Sequence, residues 1–205
     1  MMGATPVLLM LLLGVVAAPA LAQAPPATRP TPVRGTVERF ADHTLAVNSR
    51  DGATITVTLA PKFTVRTVVA KTLADIKPGD KVGITSIKGS DNARQAVEIH
   101  VLPTNLPNIR MAEFPYDLLP ESLMTNAEVA QVASTPQGRM IKVTFNGKEE
   151  EFAVPAATPI VGYGPGDPGM LQPGKAIALF ARKQPDGALT AAGVTVEKNG
   201  VKPPM

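Results

Sequence analysis

Cysteine is missing from all 205 residues. That absence excludes a disulfide framework, a thiolate metal site, a catalytic thiol and the lipid-attachment cysteine of a bacterial lipoprotein. Tryptophan is missing too, and two tyrosines and six phenylalanines are the whole aromatic content, too little for a platform that stacks bases or sugars. The net charge of +3 is spread along the chain without a basic run, so no nucleic-acid or anionic-lipid patch is expected, and the surplus bears on solubility alone. Histidine occurs twice, as His43 and His100. A catalytic triad would have to recruit one of them, yet neither stands beside a nucleophile in a supporting motif, and no Gly-x-Ser-x-Gly, His-Glu-x-x-His or phosphate loop is present. The expectation is a non-enzymatic chain without a cofactor.

The N-terminal region points to export. Residues 7–17 are almost wholly apolar, Pro19 breaks the run, and Ala20-Leu21-Ala22 is a small-x-small cleavage site before Gln23. Residues 1–22 read as a signal peptide, although residues 1–10 carry no lysine or arginine. The apolar run is short of the roughly 20 residues of a spanning helix, so cleavage near Ala22 is expected to leave a mature periplasmic or secreted chain with no transmembrane domain. Residues 23–32 hold Pro25, Pro26, Pro30 and Pro32 and no large apolar side chain, which predicts a mobile leader with order beginning near Val33.

Beyond the leader the chain repeats itself. Residues 33–103 and 126–199 share one plan, with residues 104–125 between them as a connector and 200–205 as a tail. In the first copy, strands are expected over 35–40, 43–48 and 53–59, where Leu45, Val47, Ile55, Val57 and Leu59 keep period-two spacing against Thr and Asn. In the second, strands over 140–145 and 149–154 point Ile141, Val143, Phe145, Phe152 and Val154 inward. Hairpin turns are expected at Asp51-Gly52 and Asn146-Gly147, and later at residues 89–92 and 185–187. Lys77-Pro78-Gly79 and Gln172-Pro173-Gly174 suit type II turns. Each comes after a segment able to make one helical turn and precedes a strand, 81–87 or 176–181. Final strands carry Val97, Ile99 and Val101, then Val194 and Val196. The plan predicts an all-β chain of two tandem small barrels of the oligonucleotide/oligosaccharide-binding (OB-like) type, with a β-sandwich as the alternative. Each module has roughly 70 residues, near the lower limit for a core without staples, so packing of one on the other is expected.

The connector has Pro103, Pro107, Pro115 and Pro120, which exclude a long helix. It is also rich in apolar side chains: Met111, Phe114, Tyr116, Leu118, Leu119, Leu123 and Met124. It is expected to lie along a module and bury several of them. The segment 162–169 is glycine-rich but lacks the Lys-Ser/Thr and helix of a phosphate cradle, and reads as an extended loop that exposes Tyr163.

The combination Gly35-Thr36-Val37, Leu45-x-Val47-x-x-x-Asp51-Gly52, Leu73-x-Asp75-Ile76-Lys77-Pro78-Gly79-Asp80-Lys81-Val82 and Ala96-x-x-Ile99-x-Val101 resembles the bacterial exported domain of unknown function DUF5666. The second module is similar more loosely. The connector, with Phe114-Pro115-Tyr116-Asp117-Leu118, resembles two-module members that usually carry Trp at the place of Tyr116. Some such relatives are labelled as metal-transporter permeases, which need several spanning helices that this chain lacks. The resemblance implies fold and export, and no activity or site residues.

Candidate residues fall into two sets. Soft ligands for a metal such as copper are present in His100, Met111 and Met124, although no Met-x-Met, Met-x-x-Met or His-x-His spacing occurs and methionine commonly fills core gaps. His100 lies opposite Ile99 and Val101 on its strand, so exposure is expected. Phe114, Tyr116 and Tyr163 are candidates for partner contact. Glu149, Glu150 and Glu151 alternate faces on a strand and read as a solvated rim. Asp75, Asp80 and Asp167 read as turn residues and caps. The expected function is binding of, or interaction with, an envelope protein or a small ligand, not nucleic acid. A metal-binding accessory protein and a structural envelope component are the alternatives.

Overall fold

Strand periodicity becomes twelve strands in the computed structural model, which describes residues 30–89, 93–104, 109–136 and 138–203. Residues 1–29 of the expected signal and leader, and most of the turn at 89–92, lie outside the described residues. In chain order the strands are β1 (Thr31–Ala41), β2 (Thr44–Ser49), β3 (Thr54–Lys71), β4 (Lys81–Lys88), β5 (Arg94–Val101), β6 (Glu113–Pro115), β7 (Leu123–Thr135), β8 (Gly138–Phe145), β9 (Lys148–Ala153), β10 (Ile160–Pro165), β11 (Ala176–Lys183) and β12 (Leu189–Val196). Single 3-10 turns at Leu73–Asp75 and Pro168–Met170 precede β4 and β11. Asp75 and Asp167 cap these turns: Asp75 accepts from the Thr72 backbone at 2.7 Å, and Asp167 from Gly169 at 2.9 Å.

The chain is all-β, and five strands close into a barrel, but they do not come from one repeat. β1, β2 and β3 form an antiparallel meander. β12 lies parallel to β3, β11 antiparallel to β12, and β1 antiparallel to β11, which completes the ring. Thus the first three strands of the first repeat close with the last two of the second. The remaining halves associate likewise: β5–β4–β7–β8–β9 run antiparallel in that order, and β9 meets β5 in parallel at Ala153 and Gln95.

The cores obey the same pairing. One gathers Val33, Leu45, Val57 and Leu59 of the first repeat with Leu171, Ile177, Val194 and Val196 of the second; the other joins Leu73, Val82, Ile84 and Ile99 to Val129, Ile141, Phe152 and Val154. The Pro-Gly turns fasten the exchange. Gly79 and Gly174 adopt the positive φ of a type II turn, +88° and +83°. Gly79 N–H donates to Val129 at 2.8 Å and Val129 N–H to Asp80 at 2.8 Å; Gly174 N–H donates to Val37 at 2.8 Å and Val37 N–H to Lys175 at 2.9 Å. Each turn therefore grips the first long strand of the other repeat, where that strand carries a register shift.

Several boundaries differ from the expectation. Strand β1 already begins at Thr31, because β11 pairs Thr31 and Pro32 with Ala181 and Phe180. β3 runs to Lys71 instead of ending at Leu59. His43 sits in the β1–β2 turn at φ +61° beside Asp42 at +47°, ahead of β2. The glycine-rich stretch expected as a loop begins within strand β10, antiparallel to β3 from Arg66 to Lys71 and parallel to β5 at Ile99 and His100. Its glycines make room: a Cβ at Gly162 would press on the Lys71 side chain at 3.2 Å, and one at Gly164 on Thr67 Oγ1 at 3.0 Å. Together β3 and β10 stitch the two strand groups into one continuous sheet.

The connector is partly structured. β6 pairs with β7, which starts at Leu123 within the expected connector, and Phe114 stands opposite Met124. Ala112 and Met124 are buried, Met111, Phe114 and Tyr116 half-buried, and Leu119 exposed. The expected rim also forms: Glu151 pairs with Lys142 at 3.1 Å and Glu150 with Arg94 at 3.7 Å.

Candidate functional site

A register shift in β5 sets up the site. Thr85 pairs with Glu98 and Ser86 with Ala96, so Val97 is an extra residue that bulges from the ladder. Val97, expected in the final strand of the first module, is half-buried, and Ala96 takes the core position with Ile99. Glu98 and His100 share the opposite face. Strand alternation predicts that this face is wet, but Glu98 is only 2 % exposed and the His100 side chain 13 %.

Burial there is matched by hydrogen bonding at the His100 ring and at one Glu98 oxygen. Glu98 Oε1 accepts from Thr85 Oγ1 at 2.8 Å and lies 3.1 Å from His100 Nε2; His100 Nδ1 lies 2.6 Å from the Tyr163 hydroxyl. The carboxylate can only accept, so in the neutral ring Nε2–H donates to Glu98 and Nδ1 accepts from Tyr163 O–H. The two rings stack with centroids 5.8 Å apart. Burial pushes the Tyr163 hydroxyl far above the ordinary phenol range; the nearby Tyr116 and Glu98 add to this and Arg66 partly offsets it. Tyr163 therefore stays a phenol and serves as a donor. Glu98 Oε2 is buried with no hydrogen-bond partner among the described residues.

The connector covers this face. Arg34 of β1, 6 % exposed, places its guanidinium 5.1 Å from the Tyr116 ring centre and donates to Asp117 at 2.5 Å. Burial alone would lift the Asp117 carboxyl, but the Arg34 hydrogen bond and charge outweigh it and hold the group below the usual range. At its other end the connector is fixed by Glu113, which accepts from Arg94 and Thr125 at 2.8 Å each. Burial opposes ionisation there too, and these two bonds lower the Glu113 pKa on balance. Two ion pairs thus tie the connector to both strand groups.

Two neighbouring cavities open between the connector, β10 and the strand groups, with volumes of about 630 and 570 Å³. Both have His100, Tyr116, Tyr163 and Phe180 in their walls, and Phe114 and Met124 line the smaller one. Hence both aromatic connector candidates, Tyr163, His100 and Met124 converge on one place. Met111 is half-buried and lines neither cavity. A Cβ at Gly83 would lie 3.3 Å from Met124 Sδ and 3.9 Å from His100 Cβ, so glycine lets those two side chains approach. As a metal ligand His100 would have to surrender Glu98 or Tyr163, since both ring nitrogens are engaged. No group of three or more His, Asp or Glu side chains among the described residues could hold a metal ion.

Sequence reasoning misses Arg34, Glu98, Asp117, Arg66, Phe180 and Arg182. One signal is available: Glu98 and His100 stand two apart on a strand and so share a face. Phe180 alternates with inward Leu179 and Ala181, which directs it out of the core.

No family model, curated protein or solved structure matches the chain. Among the described residues no helix is long and apolar enough to cross a membrane.

Proposed function

We propose that this is an exported, DUF5666-like, non-enzymatic binding protein of the bacterial envelope. Its two repeats exchange halves to make two OB-like barrels, and the cleft at their seam receives a small ligand or a segment of an envelope protein. The observation that carries the reading is the convergence of Phe114, Tyr116, Tyr163 and His100 on the paired cavities. A volume of several hundred Å³, apolar walls and a few convergent polar groups are the usual attributes of a ligand site. The barrel assignment rests on the meander, the parallel closing pair and the 3-10 turn before the fourth strand of each ring. Binding is favoured over catalysis because His100 has no free ring nitrogen and Tyr163 is held as a phenol.

Native mass spectrometry of the protein recovered from its own host's envelope tests this. The wild type is expected to carry an added mass, and Tyr116→Ala and Tyr163→Ala variants that melt cooperatively are expected to lose it. A bare wild-type chain, or a mass that survives both substitutions, would overturn the proposal. The proximity of Met124 to His100 across Gly83 favours one second reading, a metal-handling accessory. It predicts a bound metal that Met111→Ala with Met124→Ala removes.

A further inference from the structure

The walls of the larger cavity are unbalanced in charge. Arg34, Arg66 and Arg182 contribute to them, and no aspartate or glutamate does. Arg34 is neutralised by Asp117, whereas Arg66 and Arg182 have no carboxylate partner among the described residues. Arg66 is also half-buried, so part of its hydration is lost without replacement. An unpaired, partly desolvated guanidinium favours an incoming anion, and its planar fork suits a carboxylate or phosphate. The rest of the wall is largely apolar. Phe180 stands out of β11 at 57 % exposure, the highest among the exposed large hydrophobic residues, and forms part of both cavities with Tyr116 and Leu102.

We infer that the seam cleft takes a small amphiphilic anion, its carboxylate or phosphate head at Arg66 and Arg182 and its apolar body along Phe180, Tyr116 and Leu102. This rests on the cleft being the binding site and adds the chemical class of the ligand. Tyr163, held as a phenol, brings no competing negative charge to the cleft, and its one proton stays with His100. Phe180 and Arg182 sit two apart on β11 and share one face, and Arg66 comes from β3 of the same barrel, so head and body sites belong to one wall.

Isothermal titration calorimetry with decanoate, decyl phosphate, decanol and decyltrimethylammonium on the mature chain is the test. Decanoate or decyl phosphate should bind, with decanol and the cation weaker by about tenfold or more, the size of one lost charge-assisted contact. Arg66→Gln combined with Arg182→Gln should abolish that preference while leaving the melting temperature of the free protein unchanged. Equal binding of decanol and decanoate, or an unchanged preference in the double variant, would overturn the anion assignment and leave the cleft as a binding site. Binding of no probe would also overturn it; the cleft reading then stands or falls with the envelope-recovered mass. Probe binding that survives the arginine variants and also Tyr116→Ala and Tyr163→Ala would sink both.

Discussion

Tyr163→Phe removes a single hydroxyl from the hydrogen-bonded row Thr85–Glu98–His100–Tyr163 and leaves its shape intact. The lost bond is 2.6 Å long and its acceptor, His100, has a side chain only 13 % exposed. A bond between partly buried neutral partners contributes about 0.5–1.5 kcal/mol, and an acceptor left without a partner costs about 1–3 kcal/mol. A net loss of about 1–2 kcal/mol therefore corresponds to a fall in Tm of roughly 2–8 °C for a chain of this size. Differential scanning calorimetry at neutral pH measures it, and nitrogen NMR of the His100 ring supplies the independent arm. In the wild type the proton of the neutral ring should reside on Nε2, facing Glu98. An unchanged Tm in Tyr163→Phe, or a wild-type ring carrying its proton on Nδ1, would refute the hydrogen-bond assignment.

Two further expectations concern the ion pairs that fasten the connector. Glu113 and Asp117 both have carboxyl pKa values lowered in the folded state, so each supports folding above its unfolded pKa, and that support is lost as pH falls through the folded value. Glu113→Gln should thus lower Tm at pH 7 and make progressively less difference on acidification below about pH 4, as thermal melts across pH will report. Asp117→Asn should cost more at pH 7, because it leaves the buried Arg34 without its carboxylate, and its effect should fade in acid in the same way; a difference that grows on acidification would count against both ion pairs.

Much of the fold is legible residue by residue. Strict alternation at Leu45, Val47, Val57 and Leu59, and again at Ile141, Val143, Phe145, Phe152 and Val154, marks positions that are buried, and Pro78-Gly79 and Pro173-Gly174 mark real turns. Strand partners are not legible. A repeat specifies which residues form strands, but not whether β11 pairs with β1 or with β7 of its own copy. Likeness between copies is what permits exchange and also what hides it from periodicity. β10 is invisible for a different reason: its Gly162 and Gly164 read as loop, whereas they thin the strand where it crosses the side chains of Lys71 and Thr67.

The site is half legible. Aromatic residues in a proline-rich connector stand out by composition, which singles out Phe114 and Tyr116. The ion pair of Arg34 with Asp117 spans 83 positions and only the exchanged topology brings it together. Alternation puts His100 on a wet face because it describes an isolated barrel, whereas Tyr163 of β10 and the connector cover that face. Tyr163 stands out among glycines in the sequence, yet it belongs to a seam strand and not to a loop. The arginines of the larger cavity escape notice because scattered basic residues carry no linear signature; Arg66 and Arg182 come to line one cavity only in the folded chain.

Cutting the chain between its repeats tests the exchanged architecture most directly. A protease site placed between Thr104 and Ile109 leaves two fragments. Each strand group then lacks about half of its core: the barrel would lose Leu171, Ile177, Leu179, Val194 and Val196, worth on the order of 10 kcal/mol at about 1.5–3 kcal/mol per side chain, as much as the whole stability of a typical domain. Size-exclusion chromatography after cleavage should therefore return both fragments in a single native peak, separable only in denaturant, and neither fragment expressed alone should melt cooperatively. Separation of two folded halves in native buffer would contradict the exchange, and with it the seam on which the proposed binding cleft depends.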